Sequence, residues 1–261
     1  MTYTKTDLRI AAHIEPFSDS AILIEFGKEV NKDIHQHIQQ LTRYLDQHSF
    51  PGFIEYIPAF TNVVVFYDPV VIYEKYKNSS QSVSPYKMVY ALMEEIIGKL
   101  NSNEKCSPRI MEIPVCYGGE FGPDLELVAS INKLTPEEVI AIHTSGEYLV
   151  HMIGFAPGFP FLGGMSKKIA APRHSSPRPL IPPGSVGIAG VQTGVYPIGT
   201  PGGWNLIGRT PLDLFLPEHN PPSLLQAGDI VKFRSIAWKE YNEWKGGFRY
   251  EHNNTSSRTS D

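Results

Sequence analysis

Residues 185–215 read SVGIAGVQTGVYPIGTPGGWNLIGRTPLDLF. SVGIAGV and WNLIGRTPLDLF have the apolar, β-branched character of strands, and glycines and prolines interrupt them too often for a helix to form. Upstream EYLVHMIGF (147–155) and downstream DIVKFRSI (229–236) repeat the pattern. Many short strands joined by Gly/Pro turns predict a compact β-barrel. Just before the barrel, PDLELVASINKL (123–134) and TPEEVIAIH (135–143) predict two short helices. The second carries its own start signal: Thr135 as cap, Pro136 at the first helical position and Glu138 three residues after the cap.

The N-terminal part has a different rhythm. AILIEF (21–26) predicts a strand, and Asn31 caps a helix whose Ile34, Ile38, Leu41 and Leu45 fall at helical spacing. FIEYI (53–57) and NVVVFY (62–67) predict two strands. A second helix begins at Ser84 and Pro85, with Met88, Leu92, Ile96 and Leu100 as its inner stripe. With RIMEIPV (109–115) as the last strand, the order is βαββαβ, which predicts a ferredoxin-like unit over about residues 8–105, the last strand being shared with the next domain. The expected fold class is therefore α+β: this unit, a β-barrel domain over 106–237 and a polar, mobile tail over 238–261.

Composition sets bounds on function. The 261 residues carry a net charge of −4 and 19% charged side chains, which suits a globular protein and argues against a duplex-DNA binder. The opening MTYTKTDLRIAAHIEP lacks the features of a secretory signal, and no run of 18 apolar residues occurs, so a cytoplasmic location is expected. Cys106 and Cys116 cannot build a four-ligand zinc site and are read as buried or incidental thiols. His35 and His37 point about 200° apart around a helix and cannot share a metal, so no metal site is expected. No phosphate loop, GxGxxG turn or nucleophile elbow is present.

Between Glu147 and Asp213 lie 65 residues without one carboxylate, while Lys167, Lys168, Arg173, Arg178 and Arg209 give that stretch +5. A cationic, glycine-rich segment favours an anionic ligand, because a guanidinium grips a carboxylate or phosphate through two parallel hydrogen bonds. A general base must then be a histidine, a held water or a residue from elsewhere in the chain. His143 and His151 are the nearby imidazoles, and His151 alternates with apolar neighbours as a core residue does. Within the same stretch, GFAPGFPFLGG (154–164) has no polar side chain. Its phenylalanines either plug the barrel or form a pocket wall or contact patch.

PVCYGGEFGPDLELVA, HTSGEYLVHMIGFAPGFPFLGGM and PPGSVGIAGVQTGVYPIGTPGGWNLIGRTPLDLF, with SAILIEFG near the start, resemble the PxpB/KipI family, also called allophanate hydrolase subunit 1 or carboxyltransferase domain 1. The similarity covers about residues 8–236. It implies a cyclophilin-like barrel after the ferredoxin-like unit. It also implies a subunit of an ATP-dependent 5-oxoprolinase, inactive alone, that opens 5-oxo-L-proline to L-glutamate with PxpC-like and PxpA-like partners, ATP being held with or by those partners. The alternative it implies is an inhibitor of histidine-kinase autophosphorylation; prolyl isomerase activity is a weaker possibility of the barrel fold. Under the resemblance, Arg173, Arg178 and Arg209 bind carboxylate and phosphate, His143 and Gln192 orient the substrate as catalytic residues, and Phe155, Phe159, Phe161 and Trp204 form a hydrophobic wall or interface. Met165 stands where Leu is expected and Phe161 where Tyr is common.

Overall fold

A computed structural model describes residues 12–77, 84–100 and 108–247. The first strands, β1 (His13–Ser18) and β2 (Ala21–Glu25), form a hairpin. Helix α1 (Lys32–Gln47) follows, its start fixed by Asn31, whose side chain accepts the Ile34 N–H. Strands β3 (Phe53–Pro58) and β4 (Asn62–Tyr67) complete an antiparallel sheet of order β1-β2-β4-β3. Helix α2 (Pro69–Tyr76), which the sequence reading missed, is capped by Asp68. Helix α3 (Pro85–Lys99) joins α1 on one face of the sheet, where Ile22, Ile24, Val63 and Val65 meet Ile38, Leu41, Val89 and Met93.

RIMEIPV does not complete this sheet. As β5 (Ile110–Tyr117) it enters a closed barrel of order β10-β7-β6-β13-β5-β12-β9, parallel to β13 (Ile230–Ser235) and antiparallel to β12 (Asn205–Arg209). The reason is in its burial: Ile113 to Cys116 are all buried, which suits a strand paired on both sides rather than a sheet edge. The other staves are β6 (Tyr148–Ile153), β7 (Pro160–Gly163), β9 (Ser185–Ala189) and β10 (Gln192–Val195). Helices α4 (Leu125–Asn132) and α5 (Pro136–Thr144) pack Leu125, Val128 and Val139 into the same core. The capping box of α5 is present as expected: Thr135 accepts the Glu138 N–H and Glu138 accepts the Thr135 N–H.

A two-stranded ribbon, β8 (Arg178–Ile181) with β11 (Thr200–Gly202), stands outside the barrel. The polar segment expected to be a tail from 238 begins with helix α6 (Trp238–Gly247). It is held because Trp238 and Tyr241 stack on Phe121, beside buried Cys116 and Ile236. Residues 248–261 lie outside the described residues, as does Cys106; Cys116 is a free, buried thiol. No helix among the described residues is long and apolar enough to cross a membrane.

The two parts meet through a second face of α1. His35 sits edge-on to His151 of β6 with ring centroids 5.4 Å apart, and Phe60 contacts both His151 and Phe161. A side chain at Gly228, where φ is +94°, would collide with the Gln39 amide, so glycine permits both the turn and the close approach. His151 is buried, yet its Nδ1 has no hydrogen-bond partner, and neither ring nitrogen of His35 has one. His151 is thus a junction residue, not the satisfied core histidine expected.

Candidate functional site

The hairpin β6–β7 carries the phenylalanine-rich loop. Its backbone closes on itself, with Gly154 N–H donating to Phe159 C=O, Phe159 N–H to Ala156 C=O and Ala156 N–H to Gly154 C=O. The loop needs no outside partners for these groups. Phe159 is 3% exposed and packs edge-to-face on Phe161, Tyr196 and Trp204, whereas Phe155, 70% exposed, projects from a left-handed backbone conformation with φ of +68°. The loop therefore both fills the core and forms a wall.

That wall bounds a cavity of about 400 Å³. On one side stand Phe155, Phe159 and Phe161; on the other are Pro201 and Gly202 of the ribbon with Gly203, Trp204 and Tyr196. Arg173, His174 and Pro177, from the segment leading into β8, complete the lining. The volume and the mix of aromatic walls with few polar groups suit one small organic molecule.

A buried carboxylate lies behind the polar side. Asp124 occupies the N-cap position of α4 but makes no side-chain cap. Its Oδ1 accepts from Arg178 Nη2 at 2.7 Å, its Oδ2 accepts the Leu206 N–H at 2.7 Å, and His174 Nε2 lies 3.4 Å from Oδ2. Arg178 Nη1 also donates to Trp204 C=O at 3.3 Å. Gly122 makes this approach possible, because a Cβ there would lie 2.1 Å from the Ile207 carbonyl oxygen of β12. Burial pushes the Tyr196 hydroxyl up to about 12, against the pull of Arg173, a hydrogen bond with the Trp204 backbone and Arg178. Tyr196 is therefore a neutral donor in any physiological buffer.

The structure gathers Phe155, Phe159, Phe161, Trp204 and Arg173 at one cavity, with Arg178 just behind it. It separates the rest. The Arg209 guanidinium lies 4.7 Å over the Phe121 ring, in the cluster of Trp238 and Tyr241. His143 is 0% exposed inside the barrel: Nδ1 pairs with the Tyr117 hydroxyl at 2.7 Å, Nε2 with Thr193 Oγ1 at 2.9 Å, and the ring stacks on Phe233. Burial drives its pKa to about 3. Gln192 lies on β10 and does not line the cavity. Lys167 and Lys168 are exposed on a 3₁₀ turn.

Sequence reasoning missed Asp124, His174 and Tyr196. Asp124 reads as an ordinary helix start, and its partners are 54 and 82 residues away. The available signal was the acid-free stretch itself, whose excess of cations calls for a carboxylate from elsewhere.

A barrel with an appended four-stranded sheet, and an aromatic cavity backed by an Arg–Asp–His cluster, define the class. The chain belongs to the carboxyltransferase domain family, subdomains C and D, whose model matches residues 12–225. It is 59% identical over 239 residues to the 5-oxoprolinase B subunit of Bacillus subtilis (strain 168), covering 91% of this chain and 98% of that one. With the corresponding 5-oxoprolinase B subunit of Escherichia coli O157:H7 it shares 38% identity over 217 residues, covering 82% and 92%. The crystal structure of TTHA0988 superposes with a TM-score of 0.70 at 33% identity; the match takes in 83% of this chain and only 40% of that one.

Proposed function

We propose that the chain is the B-type subunit of an ATP-dependent 5-oxoprolinase in the cytoplasm and that its cavity receives 5-oxo-L-proline. The observation that carries this is one small aromatic cavity with Arg173 on its wall and His174 set against Asp124. The substrate's carboxylate pairs with Arg173, and its flat lactam ring lies between Phe159, Phe161 and Trp204. His174, oriented by Asp124, takes the lactam N–H proton, which places negative charge on the ring oxygen. Arg178 holds Asp124 in place and is a positioning residue. This replaces the roles expected of His143 and Gln192.

ATP supplies activation of the lactam oxygen, since an unstrained amide is a poor electrophile. The triphosphate does not fit this cavity: among the described residues Arg173 is the one lysine or arginine in its lining, and the Asp124 carboxylate lies directly behind. Nucleotide binding accordingly belongs with PxpA-like and PxpC-like partners. The four-stranded sheet reads as a ferredoxin-like unit in which β1 takes the edge position of a final strand, and the barrel as cyclophilin-like. The kinase-inhibitor alternative rests on the resemblance alone.

The test is reconstitution. The chain by itself should be inert, and mixed with the two companion subunits of the B. subtilis enzyme it should release glutamate from 5-oxoproline in step with ATP hydrolysis. Arg173→Ala should raise KM roughly 10- to 100-fold through loss of a charge-assisted contact. A three-component mixture that yields no glutamate would overturn the proposal.

A further inference from the structure

Among the described residues the N-terminal sheet buries one face under α1 and α3, while Leu23, Val64 and Phe66 on the other stay partly exposed. Strand register defines that second face: Leu23 lies opposite Val64, which lies opposite Ile57, and Phe66 lies in the next row on the same side. These four apolar residues belong to none of the buried clusters. Ile57 is 47% exposed, and at each edge strand a bulge adds a further solvent-facing apolar group, Phe17 in β1 and Ile54 in β3. An apolar face of this size in a water-exposed sheet marks a contact surface.

The charges around it say what kind of contact. Glu15 is register partner to Leu23, Glu25 to Asn62 and Glu55 to Phe66, so all three glutamates stand on the second face. The four strands contain no lysine or arginine, and His13, 3.4 Å from Glu15, is their one basic side chain. Two copies of the chain meeting through this face would set six glutamates against one another, which disfavours a homodimer here. A different polypeptide presenting an apolar strip bordered by lysine or arginine matches both features.

We infer that the second face of the N-terminal sheet docks a companion subunit through such a cationic-edged apolar strip. The inference rests on the multi-subunit reading above. In TTHA0988 a unit like this one makes up 40% of a longer polypeptide. None of these face residues lines the cavity, so a variant of the face leaves the cavity lining itself intact.

The experiment mixes the intact chain with each companion subunit of the B. subtilis enzyme and follows complex formation by sedimentation across a salt series. Wild-type chain should bind one companion, more weakly as salt rises. Glu15→Lys/Glu25→Lys/Glu55→Lys should weaken that binding by at least about a hundredfold, because attraction becomes repulsion, with an unchanged thermal melt. Glu→Gln at the same positions gives a milder loss and guards against misfolding of the lysine variant. Equal affinity of wild type and both variants overturns the inference, as does wild-type chain that binds neither companion, or self-association abolished by Ile57→Asp. A salt-sensitive complex lost in the lysine variant, in a mixture that makes no glutamate, supports the docking face while sinking the 5-oxoprolinase reading. Full binding by the lysine variant with normal glutamate release does the reverse.

Discussion

His143 and His174 sit in the same barrel under opposite conditions. Inside the barrel, His143 has both nitrogens hydrogen-bonded, a phenylalanine stacked on its face and no exposure to water. At the cavity, His174 is partly exposed and faces a carboxylate at 3.4 Å without a complete hydrogen bond. A strongly perturbed pKa is often a mark of function, and by that mark His143 is the better candidate. Geometry decides otherwise: there is no space beside His143 for a reacting atom. A desolvated, fully satisfied polar group holds the fold together, whereas a partly exposed imidazole on a cavity wall can meet a ligand.

The contrast is broken or confirmed by a pair of variants. His174→Gln is expected to lower kcat in the reconstituted enzyme roughly 10²- to 10⁴-fold, the usual contribution of positioned proton transfer, with an unchanged denaturation midpoint. His143→Leu should do the opposite. It strands the Tyr117 hydroxyl and one bond of Thr193 in the core, a loss of about 2–6 kcal/mol in chemical denaturation at about 1–3 kcal/mol for each unmet group. Activity per folded molecule should be retained. If His143→Leu abolishes kcat while remaining folded, the assignment is reversed.

Acid sharpens the same comparison. The unfolded chain's imidazoles titrate near 6.5, while burial lowers His143 to about 3 and burial, with His151 beside it, lowers His35 to about 4. The unfolded state therefore binds more protons below pH 6.5. Stability from these groups is complete above that pH and declines as pH falls from 6.5 to the folded values of about 4 and about 3. Holding His35 neutral from 6.5 down to about 4 amounts to about 3 kcal/mol. Denaturation measured from pH 7 to 4 should show this decline, and His35→Phe should make the slope shallower. An identical slope in the variant would mean that the junction is hydrated and the imidazole free to ionise.

Much of the fold was legible because it follows local rules. The α5 capping box and the stripe of α1 need only residues within one or two turns. The strands β7, β8, β10 and β11 escaped because they are three or four residues long and contain proline or glycine. The destination of β5 also escaped, since a strand motif does not reveal which sheet it joins. At the site, the aromatic wall and Arg173 could be read from composition. His174 could not, because PRHSSP (172–177) has no periodicity, and Asp124 could not, because a carboxylate at a helix start normally caps it.

The smallest expected effect concerns Phe155. Among the described residues only Lys133 and Phe155 combine a side chain with positive φ, and Lys133 closes helix α4 at its C-cap. Phe155 closes no helix: it is the central residue of the turn closed by Ala156 N–H and Gly154 C=O, and its ring, mostly exposed, meets Phe159 edge-on. Such a backbone costs a residue with a β-carbon about 1 kcal/mol or more, a cost that persists where function requires the side chain. Phe155→Gly should therefore raise stability by about 1 kcal/mol in denaturant, less what glycine adds to the entropy of the unfolded chain, while weakening 5-oxoproline binding several-fold. Stability and affinity moving in opposite directions is the signature of a wall residue held under strain. A variant that loses stability and binds substrate normally would show instead that this aromatic serves the barrel as His143 does.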